Sequence, residues 1–315
     1  MRITHDIHNH TLLSSCCYDP EATFAAFIDK AHELGHTTFG IANHMWDENV
    51  PGASKWYKGQ PVKYVLEGKN SIPKNTYGMK ILFGAEVEYC GMSDTLAITP
   101  ETAKNFDYIL VPQSHTHMRN FVMAEPGEIA DLRAEMTARL AVAFPEFSEA
   151  YLSKMVGALN TNDLLPFAAD TLNFNAYQAK FLLDSMESLI NNPKFLELSR
   201  TVPTILAHPL APNEGFPTNT EIHRLVDAER FYELCKRYAA HGIAFDVNMS
   251  TFGVPENGYR DDPLAALFVL ARDAGVKFAF STDSHSVEEL ETIRLGDALS
   301  ERLELTPAHL WEHIV

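Results

Sequence analysis

The stretch Arg2-Ile3-Thr4-His5-Asp6-Ile7-His8-Asn9-His10 sets a pattern that recurs along the chain, a short apolar segment followed at once by polar side chains. Residues 2–7 predict a β-strand. Beyond them, apolar residues recur at the spacing typical of an amphipathic helix, at Phe24, Phe27, Ile28, Ala31 and Leu34. A strand followed by such a helix is one βα unit, and several units in series predict a largely parallel sheet.

Residues with special backbone preferences mark the ends of this first helix. Asp19 and Pro20 predict an N-cap and a first helical position, because an aspartate can accept backbone N–H bonds and proline has no N–H to satisfy. Gly35 predicts the C-terminal end of the helix. Residues 37–42 then predict the second strand.

The same alternation continues to the end of the chain. Further strands are predicted at residues 80–87, 108–112, 204–207, 243–249 and 277–281. Helices are predicted at residues 221–240 and 263–274, and Gly275 ends the second of them. The expected fold class is therefore α/β.

The interval 118–202 interrupts this alternation. It predicts helices over about residues 128–144, 147–159 and 177–191, with no strand between them. No linker rich in serine or glycine separates the interval from its surroundings. We therefore expect residues 1–315 to form a single domain, in which 118–202 is a helical insertion over one end of the sheet.

The composition excludes several classes of protein. The 315 residues are 46% hydrophobic, which excludes a disordered chain, and their net charge is −17. Such a charge disfavours binding to long nucleic acid or to an anionic membrane surface. No apolar run is long enough for a membrane span and the first residues show no signal-peptide core, so we expect a cytoplasmic protein.

Cysteine usage fits a reducing compartment. The four cysteines are Cys16, Cys17, Cys90 and Cys235, and free thiols are the default for them. The adjacent Cys16 and Cys17 are compatible with a vicinal disulfide, with metal ligation by thiolate, or with two thiols that have no chemical role.

Histidines and carboxylates follow six of the predicted strands. They are His8, His10, His44, Glu86, Glu88, His115, His117, His208, Asp283 and His285. In a barrel of parallel strands all the carboxyl ends face one side, where catalytic residues gather. We therefore expect these side chains to meet at one mouth.

This set of residue types is suited to binding divalent metal ions. Imidazole and carboxylate together bind Zn²⁺, Fe²⁺ and Mn²⁺, and a carboxylate can bridge two ions. His8 and His10, two residues apart in an extended segment, point the same way and can hold one ion. A single His-X-His pair is weak support for a metal site, but its recurrence at separate strand ends indicates a metal centre.

Five motifs resemble, in their order along the chain, those of the PHP (polymerase and histidinol phosphatase) superfamily. They are Asp6-Ile7-His8-Asn9-His10-Thr11, Ala42-Asn43-His44, Gly84-Ala85-Glu86-Val87-Glu88-Tyr89, Ala207-His208-Pro209 and Ser281-Thr282-Asp283-Ser284-His285. The resemblance covers nearly all of the chain outside 118–202. Asp246-Val247-Asn248 and Gly258-Tyr259-Arg260 make it nearest to histidinol-phosphatase-type members. It implies a distorted (β/α)7 TIM-like barrel, with the insertion over the barrel mouth.

The resemblance also implies ligands for two or three divalent ions of zinc, manganese or iron. A first ion would be held by His8, His10, Glu86 and Asp283. Glu86 would bridge to a second ion, held also by His115 and His208. A third ion, where present, would take His44, His285 and a residue from the loop after His10.

Two positions depart from the family pattern. Cys16 stands where many relatives have a histidine, so the third site could use a thiolate, prefer a softer metal, or be weak or absent. We expect Cys16 to be a ligand and Cys17 to be a bystander. Asn43 stands where relatives commonly carry aspartate, and its neutral amide can still orient a neighbour without adding charge. The alignment favours His115 over His117 as a ligand.

The activity implied is hydrolysis of a small phosphomonoester, such as histidinol phosphate, by a metal-bridging hydroxide that attacks phosphorus. Arg260 is a candidate to bind the non-bridging oxygens, although a surface ion pair with Asp261 or Asp262 explains it equally well. His117 is a candidate to protonate the leaving group. The expected partner is a small phosphorylated substrate, and the oligomeric state is not predicted.

Three alternatives remain at this point. The first is a phosphodiesterase or exonuclease acting on short nucleotides, for which Lys55-Trp56-Tyr57-Lys58 could form a stacking platform. The second is an amidohydrolase, which Glu86 at its strand end argues against. The third is a catalytically inactive PHP binding module, and the near-complete ligand set argues against that.

Overall fold

Seven parallel strands form the centre of the molecule. A computed structural model of the chain describes residues 1–90, 94–113, 115, 126–158, 174–211, 220–254 and 257–314. The seven strands are β1 (His5–Asp6), β2 (Thr38–Met45), β3 (Lys80–Val87), β6 (Tyr108–Pro112), β7 (Thr204–Ala207), β8 (Ala244–Asn248) and β9 (Phe278–Ser281), hydrogen-bonded in that order. A small antiparallel pair, β4 (Tyr89–Cys90) and β5 (Thr95–Leu96), follows β3 and was not predicted.

The first and last strands join to close the sheet into a barrel. The Ile7 N–H donates to the Phe280 carbonyl at 3.2 Å, and the Asp283 N–H donates to the His8 carbonyl at 2.9 Å. His10 N–H donates to the Ser284 carbonyl at 2.9 Å, and an isolated parallel bridge pairs Asn9 with Ser284. The fold is therefore an α/β TIM-like barrel of seven strands, as expected.

Alternation along the strands decides which side chains enter the barrel. Successive strand residues point to opposite faces, so Leu82, Gly84 and Glu86 share the inner face of β3. The register pairs His44 of β2 with Glu86. Below them an inner apolar cluster fills the barrel, including Ile7, Leu82, Tyr108 and Leu110, with Trp311 and Ile314 from the C-terminal segment.

Helices surround the barrel. They are Phe24–Leu34, Val62–Gly68, Pro100–Ala103, Pro126–Ala143, Glu149–Ala158, Phe174–Asn191, Pro193–Thr201, Thr220–Arg224, Ala228–Ala240, Met249–Phe252, Pro263–Asp273 and Gly296–Arg302. Short 3₁₀ helices lie at Tyr57–Gly59, Lys69–Ser71, Glu289–Leu295, Pro307–His309 and Glu312–Ile314. A second, larger apolar core lies between the helices and the outer face of the barrel.

Local hydrogen bonds explain where helices differ from the predictions. Thr23, not Asp19, caps the first helix, because its side chain accepts the Ala26 N–H while Asp19 accepts the Glu21 N–H in the preceding turn. The predicted helix 221–240 is two helices, since Asp227 caps a new helix that begins at Ala228. Gly35 and Gly275 end their helices as predicted, with φ of 82° and 91°.

The described part of the interval 118–202 contains four helices, of which Pro193–Thr201 was not predicted. Helices Pro126–Ala143 and Glu149–Ala158 pack on each other, with Met136 against Val156. Helix Phe174–Asn191 packs instead against Ala228–Ala240, and the Tyr238 hydroxyl donates to the Met186 carbonyl at 2.8 Å. Helices Phe174–Asn191 and Ala228–Ala240 therefore belong to the layer of helices around the barrel. Coverage of the mouth by the interval stays a prediction.

Two further findings concern sequence features. In the part of the chain that the structure describes, no helix combines the length and apolar content needed to cross a membrane. Cys16, Cys17, Cys90 and Cys235 are all free thiols, which rules out the vicinal disulfide in this structure.

The interior of the barrel has no room for a side chain at Gly84. A Cβ atom there would lie well inside van der Waals contact with the buried ring of Tyr108, whose hydroxyl donates to the Ile7 carbonyl. We predict that Gly84→Ala lowers the free energy of unfolding by about 1–3 kcal/mol through overpacking. Urea unfolding of the metal-free protein measures this.

Gly157→Ala is the matched control. Gly157 is exposed on helix Glu149–Ala158 and a Cβ there meets no atom within 4 Å. Alanine at this position is expected to raise the free energy of unfolding by about 0.5–1 kcal/mol, because glycine is a poor helix former. A Gly84→Ala variant as stable as the wild type would contradict the packing described for the barrel interior.

Candidate metal centre

Glu86 lies at the centre of a cluster of buried imidazoles at the carboxyl ends of the strands. Its Oε2 atom is 3.2 Å from His8 Nε2 and 3.3 Å from His10 Nε2. The same two histidines approach Asp283 Oδ1, at 3.6 Å and 3.1 Å. The four residues predicted to hold a first ion therefore lie together.

The other oxygen of Glu86 faces a second pair of histidines. Glu86 Oε1 is 3.2 Å from His208 Nε2 and 3.5 Å from His115 Nε2. The two ring nitrogens are 3.2 Å from each other. One carboxylate thus divides its oxygens between two imidazole pairs, which is the arrangement that bridges two metal ions.

His44 lies beside Glu86 and not in the group predicted for it. Its Nδ1 atom is 3.2 Å from Glu86 Oε2, and the ligand atoms of His10, His44 and Glu86 lie close enough to share an ion. We predicted that His44 joins His285 around a third ion. The register of β2 and β3 puts His44 directly next to Glu86 instead.

Cys16 and His285 form a third group at the edge of the cluster. Cys16 Sγ is 3.1 Å from His285 Nε2, and His10 offers the third ligand atom of this group. The ring of His10 stacks between those of His285 and His44, with centroid distances of 4.6 Å to each. Cys17 points away from the ligand atoms of this group, and its thiol donates to the His285 carbonyl at 3.1 Å.

A buried carboxylate behind His8 fixes the proton of that imidazole. His8 Nδ1 lies 3.1 Å from Asp246 Oδ2, so it donates there and leaves its Nε2 lone pair facing the cluster. Asp246 also accepts the His208 backbone N–H at 3.2 Å. Asp246 was not among the predicted site residues, although it lies on β8 within the stretch Asp246-Val247-Asn248 that contributes to the family resemblance.

Glu88 plays the same part for His115. Its Oε1 atom is 2.5 Å from His115 Nδ1, and the buried Tyr57 hydroxyl donates to the same oxygen. His115 therefore also presents its Nε2 lone pair to Glu86. From the sequence we placed Glu88 only at the mouth and Tyr57 only in a possible stacking platform, so neither was predicted to support His115.

This donor set fits divalent cations. Imidazole nitrogens and carboxylate oxygens converge at 3.1–3.6 Å, and acceptor lone pairs this close repel one another unless a positive charge lies between them. Burial by itself would raise the pKa of Glu86, yet the imidazoles of His44, His8 and His115 hold that pKa well below its usual value. Burial opposes a charge on His8 as well, yet the carboxylates of Asp283 and Glu86 raise its pKa well above the usual value.

A cavity of roughly 240 Å³ opens onto the cluster. Its walls are Cys16, Tyr18, His44, Trp56, Glu86, His115, Asp283 and His285. The Asp283 side chain is 20% exposed, whereas His8 and His10 are buried, so a ligand in the cavity meets Asp283 directly. Trp56 packs its ring edge-on against His44, with centroids 5.2 Å apart.

Arg260, one of the two predicted catalytic residues, does not line this cavity. Arg260 is exposed and lines a separate cavity of roughly 850 Å³ with Arg224 and Arg302. His117 lies outside the described residues. Roles for both in catalysis stay predictions.

Comparisons with known proteins support the fold. No protein-family model matches the sequence, and no curated protein matches it. A histidinol phosphate phosphatase from Lactococcus lactis, solved with zinc, L-histidinol and phosphate, has a TM-score of 0.51 at 13% identity, over 97% of this chain and 95% of that chain. At this identity the similarity shows a shared fold.

Other solved structures are more distant. A D-hydantoinase has a TM-score of 0.40 at 12% identity, over 89% of this chain and 57% of that chain. A structure of archaeal ribonuclease P with mature tRNA has a TM-score of 0.37 at 12% identity, over 95% of this chain and 90% of that chain. Scores this low carry no argument about function.

Substitutions of Glu86 and Glu88 are expected to have different effects on metal binding. Glu86→Gln removes a ligand from both halves of the cluster, so both lose metal. Glu88→Gln leaves every predicted ligand in place and disturbs only His115, so metal affinity falls about 10–100-fold in one half alone. Elemental analysis after dialysis against increasing chelator measures both effects.

Glu146→Gln, on an exposed residue in the turn before helix Glu149–Ala158, is the control and should keep the metal content of the wild type. Wild-type metal content in Glu86→Gln would contradict the central place of Glu86. Complete loss of metal in Glu88→Gln would contradict the division of the cluster into two halves.

Proposed function

We propose that the chain is a PHP-type, metal-dependent phosphoesterase that hydrolyses a small phosphomonoester. The observation that carries the proposal is the division of the Glu86 oxygens between the pair His8 and His10 and the pair His115 and His208. This arrangement suits two adjacent divalent ions, and paired ions are typical of enzymes that transfer or hydrolyse phosphate. The shared fold with a zinc-containing phosphatase supports the same choice.

The proposed ligands follow the geometry of the cluster. His8, His10, Glu86 and Asp283 hold one ion, and Glu86, His115 and His208 hold the other. Cys16 and His285, with His10, provide for a third ion. Bound Zn²⁺, Mn²⁺ or Fe²⁺ supplies Lewis acidity that activates water and neutralises phosphate charge.

The protein's own residues hold this centre in place and shape access to it. Asp246 and Glu88 keep the imidazoles of His8 and His115 oriented with their Nε2 atoms inward. Burial of these groups excludes bulk water and so fixes the geometry before substrate arrives. Asp283 stands at the boundary between the cluster and the cavity, where it contacts whatever binds.

The cavity favours a small substrate over a polymer. A volume of roughly 240 Å³ is slightly below the range typical of small-molecule sites. The net charge of −17 repels phosphate polymers at long range. A compact phosphomonoester of the histidinol phosphate type meets both constraints.

The structure gives less support to a nucleotide platform at residues 55–58. Tyr57 is buried and holds Glu88, so its ring is not presented for stacking. Of residues 55–58, only Trp56 lines the cavity. An inactive binding module is also less well supported, because the ligands lie together at short distances.

Asp283→Asn tests the proposed activity. The wild type, purified without chelator and supplied with Mn²⁺, Zn²⁺ or Fe²⁺, is expected to hydrolyse phosphomonoesters in preference to phosphodiesters and amides. Asp283→Asn should lower kcat/KM by at least about 100-fold, a loss of roughly 3 kcal/mol in transition-state stabilisation. Its unfolding temperature without metal should change little.

Asp29→Asn, on an exposed helix position, is the control and should keep full activity. An Asp283→Asn variant with wild-type turnover would contradict the proposed centre. Preference for diesters or amides would replace the phosphomonoesterase proposal with one of the alternative hydrolase activities.

Cys16→Ser tests ligation by sulfur. Burial, with the carboxylates of Glu86 and Asp283, raises the pKa of the Cys16 thiol, so an ion must displace its proton and binding weakens as pH falls. Loading with Co²⁺ should give a sulfur-to-cobalt charge-transfer band in the wild type and in Cys17→Ala. The band should disappear in Cys16→Ser, and its persistence there would exclude Cys16 as the ligand.

A further inference from the structure

His10 differs from His8 and His115 in the group behind its imidazole. Those two donate to the carboxylates of Asp246 and Glu88. His10 Nδ1 instead lies 3.1 Å from the hydroxyl oxygen of Ser14, which is buried and neutral. A hydroxyl can donate or accept, so this contact alone does not fix which nitrogen of His10 carries the proton.

Asn43 removes that ambiguity. Its Oδ1 atom is 2.8 Å from the Thr11 backbone N–H, a group that can only donate. With the amide turned over, the Nδ2 group would meet that N–H and two donors would face each other. The atom next to Thr11 must therefore be the oxygen.

The fixed oxygen then determines the direction of the Ser14 hydroxyl. Ser14 Oγ is 3.0 Å from Asn43 Oδ1, which can only accept, so the hydroxyl proton points there. The same Oγ accepts the His44 backbone N–H at 2.9 Å. Its remaining contact, to His10 Nδ1, must be one in which His10 donates.

We propose that Ser14 and Asn43 are positioning residues that hold His10 in the Nδ1–H form, so that Nε2 is the nitrogen available to a cation beside Glu86 and Asp283. Three hydrogen bonds in series fix this orientation, from the Thr11 backbone to Asn43, from Ser14 to Asn43, and from His10 to Ser14. Its value for metal binding rests on the proposed function, in which His10 Nε2 is a ligand. The direction of the hydrogen bond between His10 Nδ1 and Ser14 does not depend on that function.

The buried position of Asn43 supports this role. Asn43 is 1% exposed, and its Nδ2 has no hydrogen-bond partner among the residues described. A buried unpaired amide is costly, whereas its oxygen accepts from Thr11 N–H, from the Thr11 hydroxyl at 3.1 Å and from Ser14. The oxygen is thus the functional atom, and the amide supplies it without placing a further negative charge beside the cluster.

These hydrogen bonds also connect the loop after β1 to strand β2. Thr11 and Ser14 belong to that loop, and Asn43 precedes His44 on β2. The orientation of His10 and the position of His44 therefore depend on one hydroxyl group. Loss of the Ser14 hydroxyl should affect both.

Nitrogen-15 NMR of the metal-free protein, labelled at histidine, tests the protonation of Nδ1 directly. In the wild type His10 should show a protonated Nδ1. Ser14→Ala should abolish this preference and lower the affinity for Zn²⁺, measured by chelator competition, about 10–100-fold. Asn43→Asp keeps an accepting oxygen, so it should preserve the protonated Nδ1 and bind Zn²⁺ no more weakly than the wild type.

Ser185→Ala is the matched control. Ser185 is equally buried but donates to the Leu182 carbonyl within helix Phe174–Asn191, remote from the cluster. It should leave the His10 spectrum and the Zn²⁺ affinity unchanged. An unprotonated His10 Nδ1 in the wild type, or an unaltered His10 spectrum in Ser14→Ala, would overturn the proposal.

The two proposals fail in different ways. If His10 Nδ1 is protonated as stated but the wild type binds no Zn²⁺, the positioning inference holds and the proposed function fails. If Zn²⁺ binds and phosphomonoesters turn over but Ser14→Ala binds Zn²⁺ as the wild type does, only the positioning inference fails.

Discussion

The backbone hydrogen bonds that join β1 to β9 are the constraint on which the site depends. They bring residues from the two ends of the sequence side by side, through His8 to Asp283 and His10 to Ser284. In an open sheet His10 and Asp283 would lie at opposite edges. Closure instead sets His10 Nε2 3.1 Å from Asp283 Oδ1. Packing of the barrel interior around Tyr108 therefore contributes directly to the geometry of the cluster.

Closure also concentrates charged side chains in the buried interior of the barrel. Asp246 shows how the fold accommodates this, because its carboxylate accepts hydrogen bonds from His8 of the first strand, His208 after β7 and Ser281 of the last strand. A buried carboxylate is tolerated only with such partners. The same bonds orient the imidazoles, so the interactions that stabilise the closed barrel also prepare its ligands. Stability and metal binding are coupled through these residues.

The sequence predicted the framework of the site better than its fine structure. β3, β6 and β7 have the predicted bounds, because each is a short apolar run with polar residues at its end. The partners of His8 and His115 were not predicted, because those contacts join segments far apart in the chain. Ser14 is only four residues from His10, but the direction of its hydroxyl depends on Asn43, which lies on β2. His44 shows this most clearly, since its register pairing with Glu86 cannot be read from spacing. Arg260 was predicted from a motif, yet it lines a different cavity.

The neutral charge of Ser14 and Asn43, the residues behind His10, affects the charge balance of the proposed metal centre. The carboxylates that contact the imidazoles are Glu86, Glu88, Asp246 and Asp283. In the proposed function two divalent ions cancel the four negative charges of these carboxylates. A third divalent ion adds two positive charges, and a Cys16 thiolate cancels one of them. An aspartate at position 43 would remove the other, leaving no net positive charge to attract a phosphate dianion in a chain whose net charge is −17. A neutral amide orients His10 and keeps that charge available.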